Sequence, residues 1–262
     1  MATAVYEVPA DAAPGAVRRM TAEEVAALDA RVHSLQEVLV VASLLANVPK
    51  FPLDMLNEVL LLADFMVTYE ASTQELHRGR SEMNDVYLSL QLPPARELAL
   101  PEGVAMDPQC VQLDVECASH DQGWASQDNE HDGTYNSSYT WSEIAVVKSE
   151  ENAARAESEE VPSRHVVTKN VRVQSQFRRH FKQFKDPLGL VQHIALGDTV
   201  QLILRSQYPG WANTANYGRL RARFRIDICE DAQLMTLQEL AQFRSQSLAA
   251  GWTNAASKCC LQ

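Results

Sequence analysis

The chain has 262 residues, of which 46% are hydrophobic, and a formal net charge of -11 at pH 7. It lacks the run of about 20 apolar residues that a membrane-spanning helix needs, and its first residues lack the basic and apolar parts of a signal peptide. These features exclude a helical membrane protein and predict a globular, cytoplasmic protein with enough apolar residues for two cores.

The charge is distributed unevenly along the chain. Residues 106–163 carry 13 acidic and 2 basic side chains, whereas residues 164–230 carry 12 basic and 4 acidic ones. The two parts would either complement each other within the chain or leave a surface for an anionic partner.

The N-terminal part is predicted to be helical. Residues 1–20 are rich in Ala and Pro and are expected to form a flexible leader, and residues 21–105 follow as the helical part. Thr21 and Glu24 have the spacing of a capping box, which predicts a helix with an apolar stripe from Val25 to Leu45.

A second helix is predicted to begin near Pro52 and to extend to Phe65, and a third helical stretch is expected within residues 70–105. Residues 51–63 (FPLDMLNEVLLLA) resemble the opening of F-box-like segments, with Phe51 in place of Leu and Asp54 in place of Glu. This resemblance implies docking on a Skp1-type adaptor of a ubiquitin ligase. The other interpretation is a core-facing helix of a small bundle.

From Cys110 the hydrophobic period changes from that of a helix to that of a strand. Several short strands in residues 106–230, without a βαβ rhythm, predict an antiparallel β-sandwich of jelly-roll or galactose-binding-like type, and hence an α+β protein. The acidic residues 149–163 are expected to be a disordered insertion. Residues 231–262 are predicted to form a C-terminal helix, capped by Asp231, and a tail.

Three aromatic motifs stand at the ends of these predicted strands. They are His120–Trp124 (HDQGW), Gly133–Trp141 (GTYxxSxTW) and Pro209–Asn213 (PGWxN). In this order they are similar to motifs of a family of largely uncharacterised fungal proteins, and the match covers about 110 residues. The resemblance implies a shared fold unit and no assigned activity.

The motifs suggest a ligand pocket. Aromatic faces stack on a sugar ring, while amide and carboxylate groups orient the ligand. In the other interpretation the Trp residues plug the corners of the sandwich, and Asp121 and Asn213 bind loop backbone. The candidate ligand-binding residues are His120, Asp121, Gln122, Trp124, Tyr135, Trp141, Trp211 and Asn213.

Catalysis has little support in the sequence. The chain has no Gly-x-Ser-x-Gly, no His-Glu-x-x-His and no phosphate-binding Gly loop, so no catalytic residue is predicted. An enzyme using His120 and Asp121 is the alternative to a binding module. Five Cys residues without zinc-ligand spacing predict reduced thiols, and neither a metal nor a cofactor is expected.

Arginines alternate along the last long predicted strand, which makes one of its faces basic. This face suggests contact with an anionic surface such as a membrane, and we do not expect it to bind nucleic acid. The candidate residues are Arg178, Arg179, Arg219, Arg221, Arg223 and Arg225.

The last four residues, Cys259-Cys260-Leu261-Gln262, fit a prenylation motif. A single prenyl group on Cys259 would give weak, reversible membrane binding, so a second signal would be needed for a stable anchor. The sequence therefore predicts a recognition module with a protein or sugar partner, and secondarily a prenylated peripheral membrane protein.

Overall fold

The computed structural model describes residues 6–9, 17–19, 32–49, 51–52, 55–125, 129–155, 164–229 and 231–242. The described helices are α1 (Leu35–Ala46), α2 (Leu56–Leu62), α3 (Glu150–Arg155) and α4 (residues 237–242). The described strands are β1 (Tyr6–Pro9), β2 (Val17–Arg19), β3 (Val67–Thr73), β4 (His77–Arg80), β5 (Asn84–Gln91), β6 (Val104–His120), β7 (Thr140–Val147), β8 (Arg164–Lys169), β9 (Arg178–Phe184), β10 (Thr199–Ser206) and β11 (Ala212–Ile228).

These strands form two sheets, which are mostly antiparallel. One sheet has the order β2-β1-β9-β6-β11-β3, with β4 also paired to β11, and the other has the order β5-β10-β7-β8. β1 and β9 run parallel. Gly218 of β11 lies so close to Tyr87 of β5 and Leu202 of β10 that an added Cβ would clash with them. The sheets therefore share a core, which is consistent with the predicted β-sandwich.

The chain divides into two compact units. In the first, Leu113 and Val115 of β6 and Leu202 of β10 are fully buried. In the second, Val38 of α1 and Leu56 of α2 are fully buried. The first unit contains residues 1–27, 69–98 and 108–223, and the second contains residues 28–68, 99–107 and 224–262.

The structure corrects the predicted start of the first helix. Residues 32–34 are not helical, and α1 begins only at Leu35. Its capping box is formed by Ser34 and Glu37: the Glu37 amide donates to Ser34 Oγ (3.2 Å), and the Ser34 amide donates to Glu37 Oε2 (2.7 Å). The capping box predicted at Thr21 and Glu24 lies outside the described residues. The expected flexible leader contains the paired strands β1 and β2.

The predicted third helical stretch is wrong, because residues 67–91 contain β3, β4 and β5. Val86, Leu88, Leu90 and Leu92 are spaced by two, which is the period of a strand. β5 pairs with β10 from Asn84 to Gln91, with a shift of register at Tyr87. The helix predicted to reach Phe65 also ends earlier, at Leu62.

Two further predictions are corrected, one for the acidic insertion and one for the cap of the C-terminal helix. The insertion expected to be disordered contains α3, whose Asn152 side chain donates to Leu196 O (2.9 Å) and to Asp198 Oδ1 (2.8 Å). The C-terminal helix is capped by Thr236 rather than by Asp231, because the Glu239 amide donates to Thr236 Oγ1 (3.3 Å). Residues 156–163 and 243–262 lie outside the described part of the chain.

Candidate ligand-binding surface

The three motifs lie in loops of the first unit that the structure brings together. The first begins at the last residue of β6, the second ends in the first two residues of β7, and the third leads from the loop after β10 into β11. Gly123 and Gly210 have φ of 82° and 86°, a conformation that glycine adopts without strain. The Ala212 amide of the third loop donates to Gln122 Oε1 of the first (3.0 Å).

Asp121 is fully buried and binds loop backbone through its carboxylate. Oδ1 accepts from the amides of Gly123 (2.7 Å) and Gln174 (3.1 Å), and Oδ2 accepts from the amide of Val173 (2.8 Å). Burial raises the pKa of Asp121, and these three bonds oppose the rise. The carboxylate joins the first loop to the loop before β9.

Asn213 and Asn170 form a buried amide network beneath the loops. Asn170 Nδ2 donates to Asn213 Oδ1 (2.9 Å) and to Thr140 Oγ1 (3.0 Å). Asn213 Nδ2 donates to the carbonyls of Trp141 (2.9 Å) and Arg205 (3.0 Å). Because its amide is occupied by these bonds, Asn213 holds the end of the sandwich together rather than facing a ligand.

Three other predicted residues also have partners within the loops. Gln122 Nε2 donates to the carbonyl of Trp124 (2.7 Å). The Tyr135 hydroxyl lies 3.0 Å from Nε2 of the buried His180. The His120 ring packs edge-on against Phe177, with 4.5 Å between ring centroids. These contacts favour a supporting role for the polar part of the motifs.

Trp141 belongs to the four-stranded sheet. Its Nε1 donates to Glu143 Oε2 (2.9 Å), and the Arg205 guanidinium lies 5.5 Å from the centre of its ring. Glu143 also accepts from Arg164 Nη1 (2.7 Å). Trp141 is therefore assigned to this polar cluster rather than to a pocket with the other aromatic residues.

Four aromatic side chains form one surface at the ends of the loops. Tyr139 packs edge-on against Tyr208 (4.8 Å between centroids) and against Trp211 (5.1 Å). A Cβ placed on Gly210, the residue before Trp211, would lie 3.9 Å from Cη2 of Trp124. Trp124 is 58% exposed and Tyr208 is 45% exposed. We call Trp124, Tyr139, Tyr208 and Trp211 the aromatic surface.

Sequence reasoning missed Tyr139 and Tyr208 as members of this surface. Tyr208 directly precedes the Pro209–Asn213 motif, and Tyr139 lies within the second motif, two residues before Trp141. The available signal was therefore an aromatic residue within the second motif and another directly before the third. Sequence reasoning also missed Arg172. Its guanidinium lies 5.9 Å from the centre of the Trp211 ring, and its Nε donates to Asp132 Oδ1 (3.0 Å).

The predicted anionic-contact face is wrong for Arg179 and Arg219, because both pair with a buried carboxylate of the neighbouring strand. Arg179 and Arg219 both bind Glu116 of β6, which is 1% exposed. The Arg179 guanidinium also lies 3.6 Å from the centre of the Tyr217 ring, and burial raises the pKa of Tyr217. Charge complementarity within the chain accounts for these groups.

The other four arginines also have partners within their own units. Arg223 Nη2 lies 3.2 Å from Asp114 Oδ2, and Arg221 binds Glu70. Arg225 Nε lies 3.1 Å from Asp227 Oδ1, and Arg178 Nη2 donates to Gln174 Oε1 (2.7 Å). Arg221 and Arg223 have partners on strands distant in sequence, whereas Arg178 and Arg225 have partners within four residues.

Two of the three described thiols are buried, and the third, Cys229, is exposed. Burial raises the pKa of Cys110 to about 12 and that of Cys117 to about 11, so both thiols are protonated at neutral pH. Among the residues that the structure describes, no group of three or more His, Cys, Asp or Glu is arranged to hold a metal ion.

The length and apolar character of a helix decide whether it can cross a membrane. In the part of the chain described above, no helix combines the length and apolar character needed to cross a bilayer. Cys259, the predicted lipidation site, lies outside the described residues.

Comparison with known proteins does not identify a family. No family model matches the sequence, and no curated protein matches it. A chain in a solved structure of turnip yellow mosaic virus is similar at 6% identity, with 66% of this chain and 85% of that chain covered and a TM-score of 0.22. That score is too low to indicate a shared fold, and the resemblance to fungal proteins stays a prediction.

Proposed function

We propose that the protein is a non-enzymatic recognition module built on a β-sandwich of jelly-roll or galactose-binding-like type, and that its aromatic surface binds a sugar. The observation that carries the proposal is the exposure of Trp124 and Tyr208, at 58% and 45%, beside the half-buried Tyr139 and Trp211. Exposed aromatic side chains on a fixed frame are typical of binding surfaces.

The frame supports this proposal because it fixes the aromatic side chains before a ligand arrives. Gln122 holds the backbone of Trp124, and Arg172, 6% exposed in its side chain, lies over Trp211. A ligand that stacks on a pre-ordered ring loses less conformational entropy than one that must order the loop.

The polar groups of these loops also suit a neutral ligand. Arg172 and Asp132 neutralise each other, which leaves the loops with few free charges. Sugar hydroxyls pair well with amides and hydroxyls, whereas an anionic ligand would require free cations. The uncharged polar side chains of these loops include Thr134, Asn136, Gln174 and Gln207.

An enzyme using His120 and Asp121 is the less favoured alternative. The carboxylate of Asp121 accepts three backbone hydrogen bonds, and the His120 ring packs on Phe177. A general base needs an accessible lone pair directed at a substrate. Asp121 is fully buried, so the residue pair suits a structural role better than a catalytic one.

Trp124→Ala tests the proposal on an array of defined oligosaccharides. We expect the wild-type protein to bind at least one of them, and the variant to give a signal lower by about tenfold, because it loses its most exposed stacking face. Leu188→Ala is the control, since Leu188 is 82% exposed in the same unit. The proposal fails if no oligosaccharide binds, or if Trp124→Ala binds as well as the control.

A protein partner is the second candidate and concerns α2. Met55 and Leu62 of the F-box-like segment are 52% and 83% exposed, which favours docking on a Skp1-type adaptor, as substrate-recognition adaptors do. We expect the full chain to capture a purified adaptor of this type and Leu62→Ser to lose it. Equal capture by both proteins would contradict the adaptor prediction.

Prenylation of Cys259 would make the protein a peripheral membrane protein. We expect its intact mass from a eukaryotic host to increase by one prenyl group and to lose the last three residues. Cys259→Ser is the matched control and should be unmodified. An unmodified wild-type mass would contradict the lipid anchor and leave a cytoplasmic protein.

A further inference from the structure

The second unit contains a cavity of about 160 Å³ that none of the three motifs reaches. It is lined by the end of α1, the start of α2, residues 228–229, and residues 232 and 234–236. Its apolar lining consists of Ala46, Leu56, Ile228, Ala232, Leu234 and Met235. A cavity of about 150 Å³ accommodates a benzene-sized group, so this one has room for a single large apolar side chain.

Hydrogen bonds hold the cavity walls in place. Asn47 Nδ2 donates to the carbonyls of Ser43 (2.8 Å) and Met235 (3.0 Å). The Met235 amide donates to Ser43 Oγ (3.2 Å). Because these bonds join α1 to the segment before α4, the cavity is a fixed feature of the unit rather than a gap between mobile segments.

Three exposed apolar residues flank the cavity lining in sequence, and we call them the apolar rim. Val48, Met55 and Leu237 are 48%, 52% and 60% exposed. Each is the immediate sequence neighbour of a lining residue, so its Cα lies about 3.8 Å from that of the neighbour. Exposed apolar side chains grouped around a cavity indicate a surface that a partner covers.

The described part of this unit is strongly acidic. Its only Lys or Arg is Arg225, which is already bound by Asp107 and Asp227. Glu102 binds Gln233 and Glu239 binds Thr236, which places both carboxylates at the cavity lining or one residue from it. The acidic residues are Glu37, Glu58, Asp64, Glu102, Asp107, Asp227, Asp231 and Glu239.

We propose that this cavity and its acidic surroundings form a second binding site, for a basic peptide segment of a partner protein. One apolar side chain of the peptide enters the cavity, and flanking Lys or Arg residues face the carboxylates. Charge complementarity selects this partner, because the same carboxylates repel anionic lipid and nucleic acid. The site lies in a different unit from the aromatic surface.

Fluorescence anisotropy with the full-length chain tests the site. The probe is a labelled amphipathic peptide of Leu and Lys at helical spacing, and the comparison peptide has Glu in place of every Lys. We expect the Lys peptide to bind, the Glu peptide not to bind, and added salt to weaken the interaction.

Two matched variants separate the site from unspecific attraction to an acidic protein. Leu237→Ser removes an exposed apolar rim residue, and we expect it to weaken binding of the Lys peptide about tenfold. Leu188→Ser removes an equally apolar residue that is 82% exposed in the first unit, and we expect no change. Both side chains are exposed, so both variants should fold.

Three outcomes would overturn the proposal. The first is absence of binding, and the second is equal binding of the Lys and Glu peptides. The third is an equal effect of Leu237→Ser and Leu188→Ser. Capture of a Skp1-type adaptor that Leu237→Ser abolishes, without peptide binding, would assign the surface to the adaptor instead. Loss of sugar binding in Trp124→Ala would leave this site unaffected.

Discussion

Replacing Glu116 with Gln is expected to lower the free energy of unfolding by about 3–5 kcal/mol. The Glu116 side chain is 2% exposed and is the shared counter-charge of Arg179 and Arg219, whose side chains are 18% and 10% exposed. Gln keeps the shape of the side chain and removes the charge, so two largely buried cations lose their compensation. Urea denaturation followed by circular dichroism measures the change.

Two controls show whether the lost charge of Glu116 causes the lower free energy of unfolding. Glu97→Gln makes the same chemical change at an exposed position and should alter the free energy of unfolding by less than about 0.5 kcal/mol. The triple variant Glu116→Leu, Arg179→Met and Arg219→Met removes all three charges and should recover much of the loss. If Glu116→Gln lowered the free energy of unfolding by less than about 1 kcal/mol, Glu116 would not be the shared counter-charge of the two arginines.

Asp121→Ala is expected to lower the free energy of unfolding by about 3 kcal/mol, because it leaves three partly buried backbone amides without their acceptor. The affected amides belong to Gly123, Val173 and Gln174. Thermal and urea unfolding of the variant and the wild type measure the difference.

The neighbouring residue provides the control for Asp121. His120→Ala removes a half-buried ring that packs on Phe177 and should cost about 1 kcal/mol or less. If the two variants were equally stable, Asp121 would not be holding the loops. If Asp121→Ala folded normally and lost sugar binding, its carboxylate would belong to the ligand site.

The Asp121 prediction concerns the polar part of the motifs, which differs in role from the aromatic part. Asp121 binds loop backbone, as in the structural interpretation of the sequence, and Gln122 does so through the carbonyl of Trp124. Asn213 instead binds carbonyls of β7 and β10. Trp124 remains exposed on that frame. The motifs therefore combine a buried polar frame with an exposed aromatic face, and only the face is available to a ligand.

Much of the β-rich part could be predicted from local pattern. Val111, Leu113 and Val115 alternate with polar residues in β6, and Leu220, Ala222 and Phe224 alternate with arginines in β11. A period of two fixes which side chains share a face, whatever the rest of the chain does. The glycines of two motifs likewise marked turns, as their positive φ confirms.

The burial of the arginines could not be predicted in the same way. Glu116 and Arg219 are 103 residues apart in sequence and meet only because β6 and β11 are neighbours in one sheet. Strand order depends on long-range pairing, which a single sequence does not specify. The alternating arginines therefore suggested a surface patch, although Arg219 and Arg223 form buried ion pairs.

The helical errors have a different cause. Residues 83–90 contain enough apolar side chains to fit a helical pattern, but Val86, Leu88 and Leu90 also fit the period of a strand. Pairing with β10 decides between the two periods. At α1 the sequence contains two capping-box signatures, and the second of them, at Ser34 and Glu37, starts the helix that the structure describes.

The most direct test of the recognition surface is calorimetric titration of an oligosaccharide that binds on the array into wild-type protein, Trp124→Ala and His120→Ala. We predict that Trp124→Ala unfolds with the wild-type free energy and binds at least about tenfold more weakly, while His120→Ala retains binding. Wild-type affinity in Trp124→Ala together with lost binding in His120→Ala would contradict the aromatic surface and favour a site at His120.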